Sequence, residues 1–225
     1  MISRFLSEEK AQHAIVDYGH KLIAKKLVAG SWGNISVKIG ESVFAITPSG
    51  RGYENLANND IVIINNNCEV LKGSLTPSSE SKLHAAIYNA CPEACAVIHT
   101  HSIYASALAA MHKSIAPIIE DIVQIIGGSV NCAEYALPGT NQLAINAVKA
   151  LNGRKAVLLA NHGAVCWGKS LEDALIVAEV LEKAAQIAII CAGCGGAVEL
   201  PDEDIKVMHE FYNQHYSKRQ TGEEK

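Results

Sequence analysis

Helix-like and strand-like patterns of apolar residues alternate along this chain, with no internal repeat and no low-complexity linker between them. Apolar residues spaced three and four apart indicate amphipathic helices, whereas short apolar runs bounded by turn residues indicate strands. The alternation predicts an α/β fold. With 225 residues, of which 49% are apolar, the chain can bury a sizeable core, and we expect one domain over residues 1–225.

Capping and turn residues separate the predicted elements. Ser7 can cap the first helix, and Gly30 is expected to end it. Ser78 or Ser79 is the expected N-cap of a later helix, which places Glu80 in its first turn. Helices are predicted over 8–29, 80–90, 102–112, 119–126, 140–152, 170–192 and 202–216, and strands over 34–39, 42–47, 61–64, 96–101, 130–133, 156–160 and 164–167.

Two histidines, His99 and His101, stand at the end of the apolar run that forms the predicted strand 96–101. Side chains two residues apart on a strand point to the same face, so both imidazoles can be directed at one point. Neutral imidazole is the nitrogen ligand that zinc favours. A His-x-His pair alone is weak evidence for a metal, since many such pairs are structural.

Two more residues complete a ligand set. His162 follows a second apolar strand and lies in a predicted tight turn, and Glu80 lies at the start of a helix. Three histidines and one carboxylate form the ligand set of a catalytic metal site. The alternative is that Glu80 only interacts with the helix dipole and His162 only caps its turn. His84, on the same helix face as Glu80, either packs in the core or supports the metal site.

Small residues at three predicted turns suggest a phosphate site. A phosphate monoester is bound by several converging neutral donors, such as backbone N–H groups at a helix start, hydroxyls and a carboxamide. The alternative for each glycine is turn geometry alone. The candidate residues are Gly33, Asn34, Ser49, Gly50, Ser78 and Ser79.

Charge and composition argue against several classes of function. The net charge of −4 argues against broad nucleic-acid binding. No apolar stretch reaches the length of a membrane span and the N-terminus shows no signal-peptide pattern, so we expect a cytoplasmic protein without a membrane partner. Seven cysteines, an odd number, favour free thiols, and Cys191 and Cys194 are expected to pack rather than to bind metal.

Five ordered motifs give the chain a family resemblance. They are Gly30-Ser31-Trp32-Gly33-Asn34-Ile35-Ser36, Ile46-Thr47-Pro48-Ser49-Gly50, Pro77-Ser78-Ser79-Glu80, His99-Thr100-His101-Ser102 and Asn161-His162-Gly163. In this order and spacing they resemble the class II aldolases of the L-fuculose-phosphate aldolase type, over about residues 9–216. The resemblance implies a single-domain α/β fold with a central mixed, largely antiparallel β-sheet flanked by helices on both faces.

The resemblance also implies a mechanism. Zinc (Zn²⁺) held by His99, His101 and His162, together with Glu80, would stabilise the enediolate formed when a ketose 1-phosphate is cleaved. Glu80 would serve as the general base and acid, and the products would be dihydroxyacetone phosphate and a small aldehyde. The three glycine- and serine-containing turns would bind the substrate phosphate.

Two features depart from the resembled aldolases. Those enzymes use a tyrosine of a neighbouring subunit to protonate the aldehyde, and spacing to Gly127-Gly128 puts Glu120 near that position, followed by Asp121. Glu120 would either perform this proton transfer or serve a dehydration. The C-terminal aromatic that closes the site has two candidates, Tyr212 and Tyr216. The resembled aldolases complete their site across a subunit boundary in a four-fold tetramer, so the resemblance implies a homotetramer with sites at its interfaces.

Three functions remain open at this stage. A zinc aldolase acting on a sugar phosphate is favoured. A zinc-dependent sugar-phosphate dehydratase or decarboxylase of the same superfamily is the main alternative. A non-catalytic interaction module like the head of adducin is disfavoured, because such a module does not need a complete set of metal ligands.

Overall fold

The computed structural model describes residues 5–216, in which eight strands form one sheet. The order across the sheet is β4-β3-β2-β1-β5-β8-β7-β6, and every neighbouring pair is antiparallel except β6 and β7. The mixed, largely antiparallel sheet is thereby confirmed. The strands are β1 (Asn34–Gly40), β2 (Val43–Ile46), β3 (Val62–Asn65), β4 (Val70–Lys72), β5 (Ala96–Thr100), β6 (Cys132–Ala133), β7 (Ala156–Leu159) and β8 (Gly163–Gly168).

Side-chain caps start several of the helices, and the cap at Ser7 is one that the sequence predicts. The hydroxyl of Ser7 accepts a hydrogen bond from the Lys10 backbone, and the hydroxyl of Ser170 accepts one from Asp173, at 3.4 and 3.1 Å. These bonds satisfy backbone donors that a helix leaves free at its first turn. The helices are α1 (Glu8–Ala24), α2 (Ser81–Ala90), α3 (Ile103–Ala110), α4 (Asn141–Leu151), α5 (Leu171–Gly193) and α6 (Asp202–Phe211), with π-helical segments at Ile122–Ile126 and Tyr212–Tyr216.

Each face of the sheet buries its own helices. On β5, Ile98 packs into a cluster that includes residues of α1, α3 and α5, whereas Val97 packs with α2 and α4 on the opposite face. Neighbouring strand residues alternate in this way because their side chains point to opposite faces. The helices expected on both faces of the sheet are therefore confirmed.

Some predicted boundaries are wrong for identifiable reasons. The first helix ends at Ala24 rather than at residue 29, because Lys26 adopts a left-handed backbone with φ of +58°. Leu27 and Val28 remain buried, so the apolar pattern continues although the helix does not. Strand β4 was not predicted, since its residues are all exposed and only pairing with β3 defines it. Within residues 5–216, no helix combines the length and the apolar character needed to cross a membrane.

Candidate metal and substrate site

The sheet brings the three candidate histidines together at one end of two neighbouring strands. His99 lies on β5 opposite Val165 of β8, and His162 lies in the turn that leads into β8. Asn161 in that turn has a φ of +55°, a conformation that asparagine tolerates better than most residues. His101 follows β5 directly, one residue beyond the strand's end at Thr100, although the sequence predicts it within the strand.

The ligand atoms of these residues converge. The candidate ligand nitrogens of the three histidines lie within 4.8 Å of one another, and Nε2 of His101 is 2.8 Å from Nε2 of His99. Glu80 reaches the same point, with Oε2 at 3.0 Å from Nε2 of His99 and Oε1 at 3.4 Å from Nε2 of His162. Ligand atoms at about 2.1 Å from a tetrahedral zinc lie about 3.4 Å apart. The observed spacings therefore suit a small divalent ion.

Hydrogen bonding orients the candidate ligands. Nδ1 of His99 lies 2.9 Å from the carbonyl oxygen of Ala164, to which it donates its proton. Nε2 of His99, on the other side of the ring, therefore faces the carboxylate of Glu80. Oε1 of Glu80 is buried and finds no hydrogen-bond partner among residues 5–216. Three converging imidazoles and this carboxylate oxygen form a donor set that fits a divalent metal ion.

The electrostatics of the site favour deprotonated ligands. Burial, together with nearby His99 and His162, lowers the pKa of His101 to about 3. Burial and His99 lower the pKa of His162 to about 4, against the opposing effect of Glu80. The pKa of Glu80 is raised by burial, but the histidines and a hydrogen bond from Asn34 outweigh this effect and lower it. Neutral imidazoles and an ionised carboxylate are the forms that bind metal.

A cavity of about 710 Å³ opens above these residues and is lined by all six candidate phosphate-binding residues. An isolated bridge between Pro48 and Pro77 joins two of the turns, and the N–H of Ser78 donates to the carbonyl of Thr47 at 3.1 Å. This pairing explains why segments almost thirty residues apart share one wall. The lining includes Gly33, Asn34, Ser49, Gly50, Ser78, Ser79, Glu80, His101, His162, Trp32 and Tyr135.

The start of α2 differs from the prediction. Glu80, rather than Ser78 or Ser79, is the N-cap residue, and its side chain points to the histidines instead of capping the helix. The hydroxyl of Ser78 instead accepts from the backbone N–H of Glu80 at 3.2 Å. The Ser78 side chain therefore fixes the residue that carries the carboxylate.

The other candidate residues lie outside this cavity. Glu120 is exposed and does not line it within its own chain, and Asp121 forms an ion pair with Lys183 on α5. Tyr212 is buried in the core with only 5% exposure, so the expectation that it could close the site is not met. The side chain of Tyr216 lies outside the described residues. Sequence reasoning did not decide the role of His84, which is fully buried behind the site and bonded to Asn34.

Known proteins are similar to this chain over most of its length. Residues 13–189 match the family described as the Class II Aldolase and Adducin N-terminal domain. A 5-deoxy-D-ribulose 1-phosphate aldolase of Bacillus thuringiensis is 37% identical over 88% of this chain and 93% of its own. An L-fuculose phosphate aldolase of Escherichia coli is 35% identical over 92% of this chain and 96% of its own. A solved structure of L-fuculose 1-phosphate aldolase has a TM-score of 0.89 at 36% identity and covers 94% of this chain and 99% of that one.

The fold, with a candidate metal site at the floor of a cavity, has the features of a metal-dependent lyase. The chain belongs to the class II aldolase and adducin family. The relatives are lyases, which confirms the enzyme class that the motifs indicate, a class II aldehyde-lyase.

Proposed function

We propose that this chain is a zinc-dependent aldolase that cleaves a ketose 1-phosphate to dihydroxyacetone phosphate and a small aldehyde. One observation carries the proposal: three imidazoles and a buried carboxylate converge at the floor of a cavity whose wall consists of small hydroxyl- and glycine-containing turns. A non-catalytic module has no use for this combination. The relatives with similar sequences are named as aldolases of L-fuculose 1-phosphate and of 5-deoxyribulose 1-phosphate.

His99, His101 and His162 would hold the metal, with Glu80 at the remaining position. A divalent ion supplies Lewis-acid stabilisation of the negative charge that develops on the substrate oxygens when the C–C bond breaks. The protein's contribution is to orient the three imidazole ligands. The Ala164 carbonyl orients the ring of His99, and the left-handed turn at Asn161 presents His162.

Glu80 would move the carbon-bound proton. Its Oε2 is held by the amide of Asn34 at 3.0 Å, whereas Oε1 makes no hydrogen bond to any described residue. The ionised carboxylate is thus set to remove the C3 proton of dihydroxyacetone phosphate in the synthetic direction. In the cleavage direction the C3–C4 electron pair stays on C3, and the same carboxyl returns the proton there.

The turns around Gly33, Ser49 and Ser78 would bind the phosphate. Together they offer backbone N–H groups and hydroxyls, and the part of the cavity lining that residues 5–216 provide contains no lysine or arginine. Neutral donors orient a phosphate dianion and leave the charge of the metal site undisturbed. The phosphate then places the reacting carbons above the histidines.

Glu120 would act from a second subunit. In its own chain the residue is exposed and outside the cavity, so it can reach a site only in a neighbouring copy. There it would accept the proton of the C4 hydroxyl as the aldehyde forms. This role implies a homotetramer in which each site is completed across an interface, as the sequence resemblance leads us to expect.

The first test measures metal content and product. We expect about one zinc per chain by elemental analysis, and its loss in His99→Ala. With L-fuculose 1-phosphate, 5-deoxyribulose 1-phosphate and 5-methylthioribulose 1-phosphate, a coupled glycerol-3-phosphate dehydrogenase assay should detect dihydroxyacetone phosphate from at least one. Release of water from one of these substrates without dihydroxyacetone phosphate would assign the dehydratase alternative, and release of carbon dioxide from a panel of sugar acids would assign the decarboxylase alternative. Full metal content and activity in His99→Ala would refute the metal site.

The second test measures assembly. Glu80→Gln and Glu120→Ala subunits, each inactive alone, should regain partial activity when unfolded and refolded together, because some hybrid sites combine two intact residues. Light scattering should show a tetramer. An active monomer, or hybrids with no activity, would remove Glu120 from the site.

A further inference from the structure

A buried chain of hydrogen bonds leads from the core to the metal site. The Oγ of Ser36 lies 2.7 Å from the hydroxyl of Tyr88 and 2.6 Å from Nδ1 of His84. Nε2 of His84 bonds to Oδ1 of Asn34, and Nδ2 of Asn34 donates to Oε2 of Glu80 at 3.0 Å. All five residues are buried, which excludes water from most of these bonds.

Two regular elements generate this chain. Asn34 and Ser36 lie two apart on β1, and Glu80, His84 and Tyr88 lie four apart at the start of and along α2. Two strand residues advance about 6.6 Å, and four helix residues advance about 6.0 Å. The matching steps allow polar side chains of the strand and the helix to interleave. This larger pattern is visible in the sequence only when both segments are considered together.

The negative charge of Glu80, at one end of this chain of hydrogen bonds, determines which group donates in each bond. An ionised Glu80 can only accept, so the amide of Asn34 must donate to it and present its oxygen to His84. His84 must then donate from Nε2, which leaves Nδ1 as an acceptor for the Ser36 hydroxyl. Ser36 in turn accepts from Tyr88, whose pKa burial raises far above its usual range, so that the phenol keeps its proton. Each donor points toward the metal site.

We propose that Tyr88, Ser36 and His84 are positioning residues that orient the Glu80 carboxylate through Asn34. This inference rests on the proposed metal site at Glu80. His84 in its Nε2–H form holds the Asn34 amide in the one orientation that donates to Glu80, and Ser36 stabilises that form of the ring by donating to Nδ1. The oxygen Oε2 is thereby fixed, while Oε1 stays available to metal and substrate. Orientation of a ligand by its outer hydrogen-bond partners raises metal affinity, and its loss typically costs about 10–100-fold.

The first experiment does not depend on a measurement of enzyme activity. Long-range proton–nitrogen NMR correlations of zinc-loaded, ¹⁵N-histidine-labelled protein distinguish the two neutral forms of an imidazole ring. The signals of His84 are identified as those missing from His84→Gln. We expect the Nε2–H form. The Nδ1–H form or a doubly protonated ring would overturn the proposal, because neither can donate from Nε2 to Asn34 while accepting from Ser36.

The second experiment compares matched pairs of variants. Ser36→Ala and Tyr88→Phe each remove a hydroxyl of the chain, whereas Ser106→Ala and Tyr53→Phe remove buried hydroxyls that find no hydrogen-bond partner within residues 5–216. We expect Ser36→Ala to weaken metal binding about 10-fold or more in a chelator competition, and Tyr88→Phe to weaken it less. Both should lower kcat with little change in KM, and the two controls should match wild type.

His84 supplies the rescue test. His84→Gln retains a side-chain N–H near the position of Nε2 and should recover much of the metal affinity that His84→Leu loses. Equal losses in the two variants, or equal metal affinities for Ser36→Ala and Ser106→Ala, would refute positioning while leaving the aldolase proposal intact. Failure of the wild-type protein to bind metal would refute the proposed function, and the same NMR measurement on the metal-free protein would still decide the orientation of the hydrogen-bond chain.

Discussion

Alanine at Gly33 should destabilise the protein more than alanine at Gly30, three residues earlier. Both glycines have left-handed backbones, with φ of +88° and +60°. A methyl group at Gly30 would meet no atom within 4 Å, whereas one at Gly33 would lie 2.6 Å from the carbonyl oxygen of His99 and 2.8 Å from Cγ1 of Val28. The pair therefore separates the cost of the backbone conformation from the cost of the contact with a candidate metal ligand.

The magnitude follows from these distances. A left-handed alanine costs about 1–2 kcal/mol, and the reduced entropy of the unfolded chain offsets about 0.4–1 kcal/mol of that. Gly30→Ala should thus lower the free energy of unfolding by about 0–1.5 kcal/mol. At Gly33 the His99 carbonyl belongs to a central strand paired on both sides and cannot retreat, so overpacking adds about 1–3 kcal/mol.

Urea unfolding of the two metal-free variants, at one fixed protein concentration, measures the difference between their free energies of unfolding. With a slope of about 3 kcal/mol per molar urea, the midpoint of Gly33→Ala should lie about 0.3–1 M below that of Gly30→Ala. Zinc affinity should fall in Gly33→Ala alone, since any relief of the contact displaces His99. Identical midpoints and identical zinc affinities for the two variants would show that the close approach of Gly33 to His99 affects neither the free energy of unfolding nor metal binding.

Three further outcomes are expected. Glu80→Gln should retain zinc through its histidines but lose about 10²–10⁴-fold in turnover; unchanged exchange of the C3 proton of dihydroxyacetone phosphate would exclude Glu80 as the base. Metal-free protein should lose stability as the pH falls below about 6.5. Burial lowers the pKa of His84 to about 3 in the folded protein. Between about pH 6.5 and about pH 3, therefore, only the unfolded state takes up a proton at His84, and this uptake favours unfolding. Urea unfolding at pH 7, 6 and 5 checks this loss, and His84→Gln should reduce its slope. Glu182→Ala should lower the free energy of unfolding by about 2–4 kcal/mol, since its carboxylate accepts three hydrogen bonds at the start of α3, two of them from backbone N–H groups. Glu179→Ala, which removes one exposed ion pair on the same helix, should cost less than about 1 kcal/mol by the same measurement.

Local chemistry in the sequence was sufficient for the class of fold and for the candidate ligands. Caps such as Ser7 and Ser170 act within four residues, so the starts of α1 and α5 follow from the sequence. The two-residue period of a strand likewise indicates that His99 and His101 share a face. Both patterns depend only on neighbouring residues. The described structure agrees with the caps, and it brings His99 and His101 together although His101 lies one residue beyond β5.

These local capping and apolar patterns do not predict how distant segments pair. The end of α1 at Ala24 and the edge strand β4 depend on backbone conformation and on a partner strand, neither of which leaves an apolar period. The burial of Tyr212 is similar, since a ring on a terminal helix is suited equally to a core and to an interface. Side-chain identity alone does not distinguish these outcomes.

The candidate metal site shows most clearly what the sequence determines and what only the tertiary structure decides. The sequence by itself determined which residue types were available: three imidazoles at strand ends, a carboxylate at a helix start and small residues at turns. Only the tertiary structure decided that Asn34 donates to Glu80, 46 residues away, and that His84 supports this bond from behind. A ligand's identity is a local property of the chain, whereas its orientation depends on hydrogen bonds that form only after β1 and α2 have packed together, because burial removes the water that would otherwise compete for each donor.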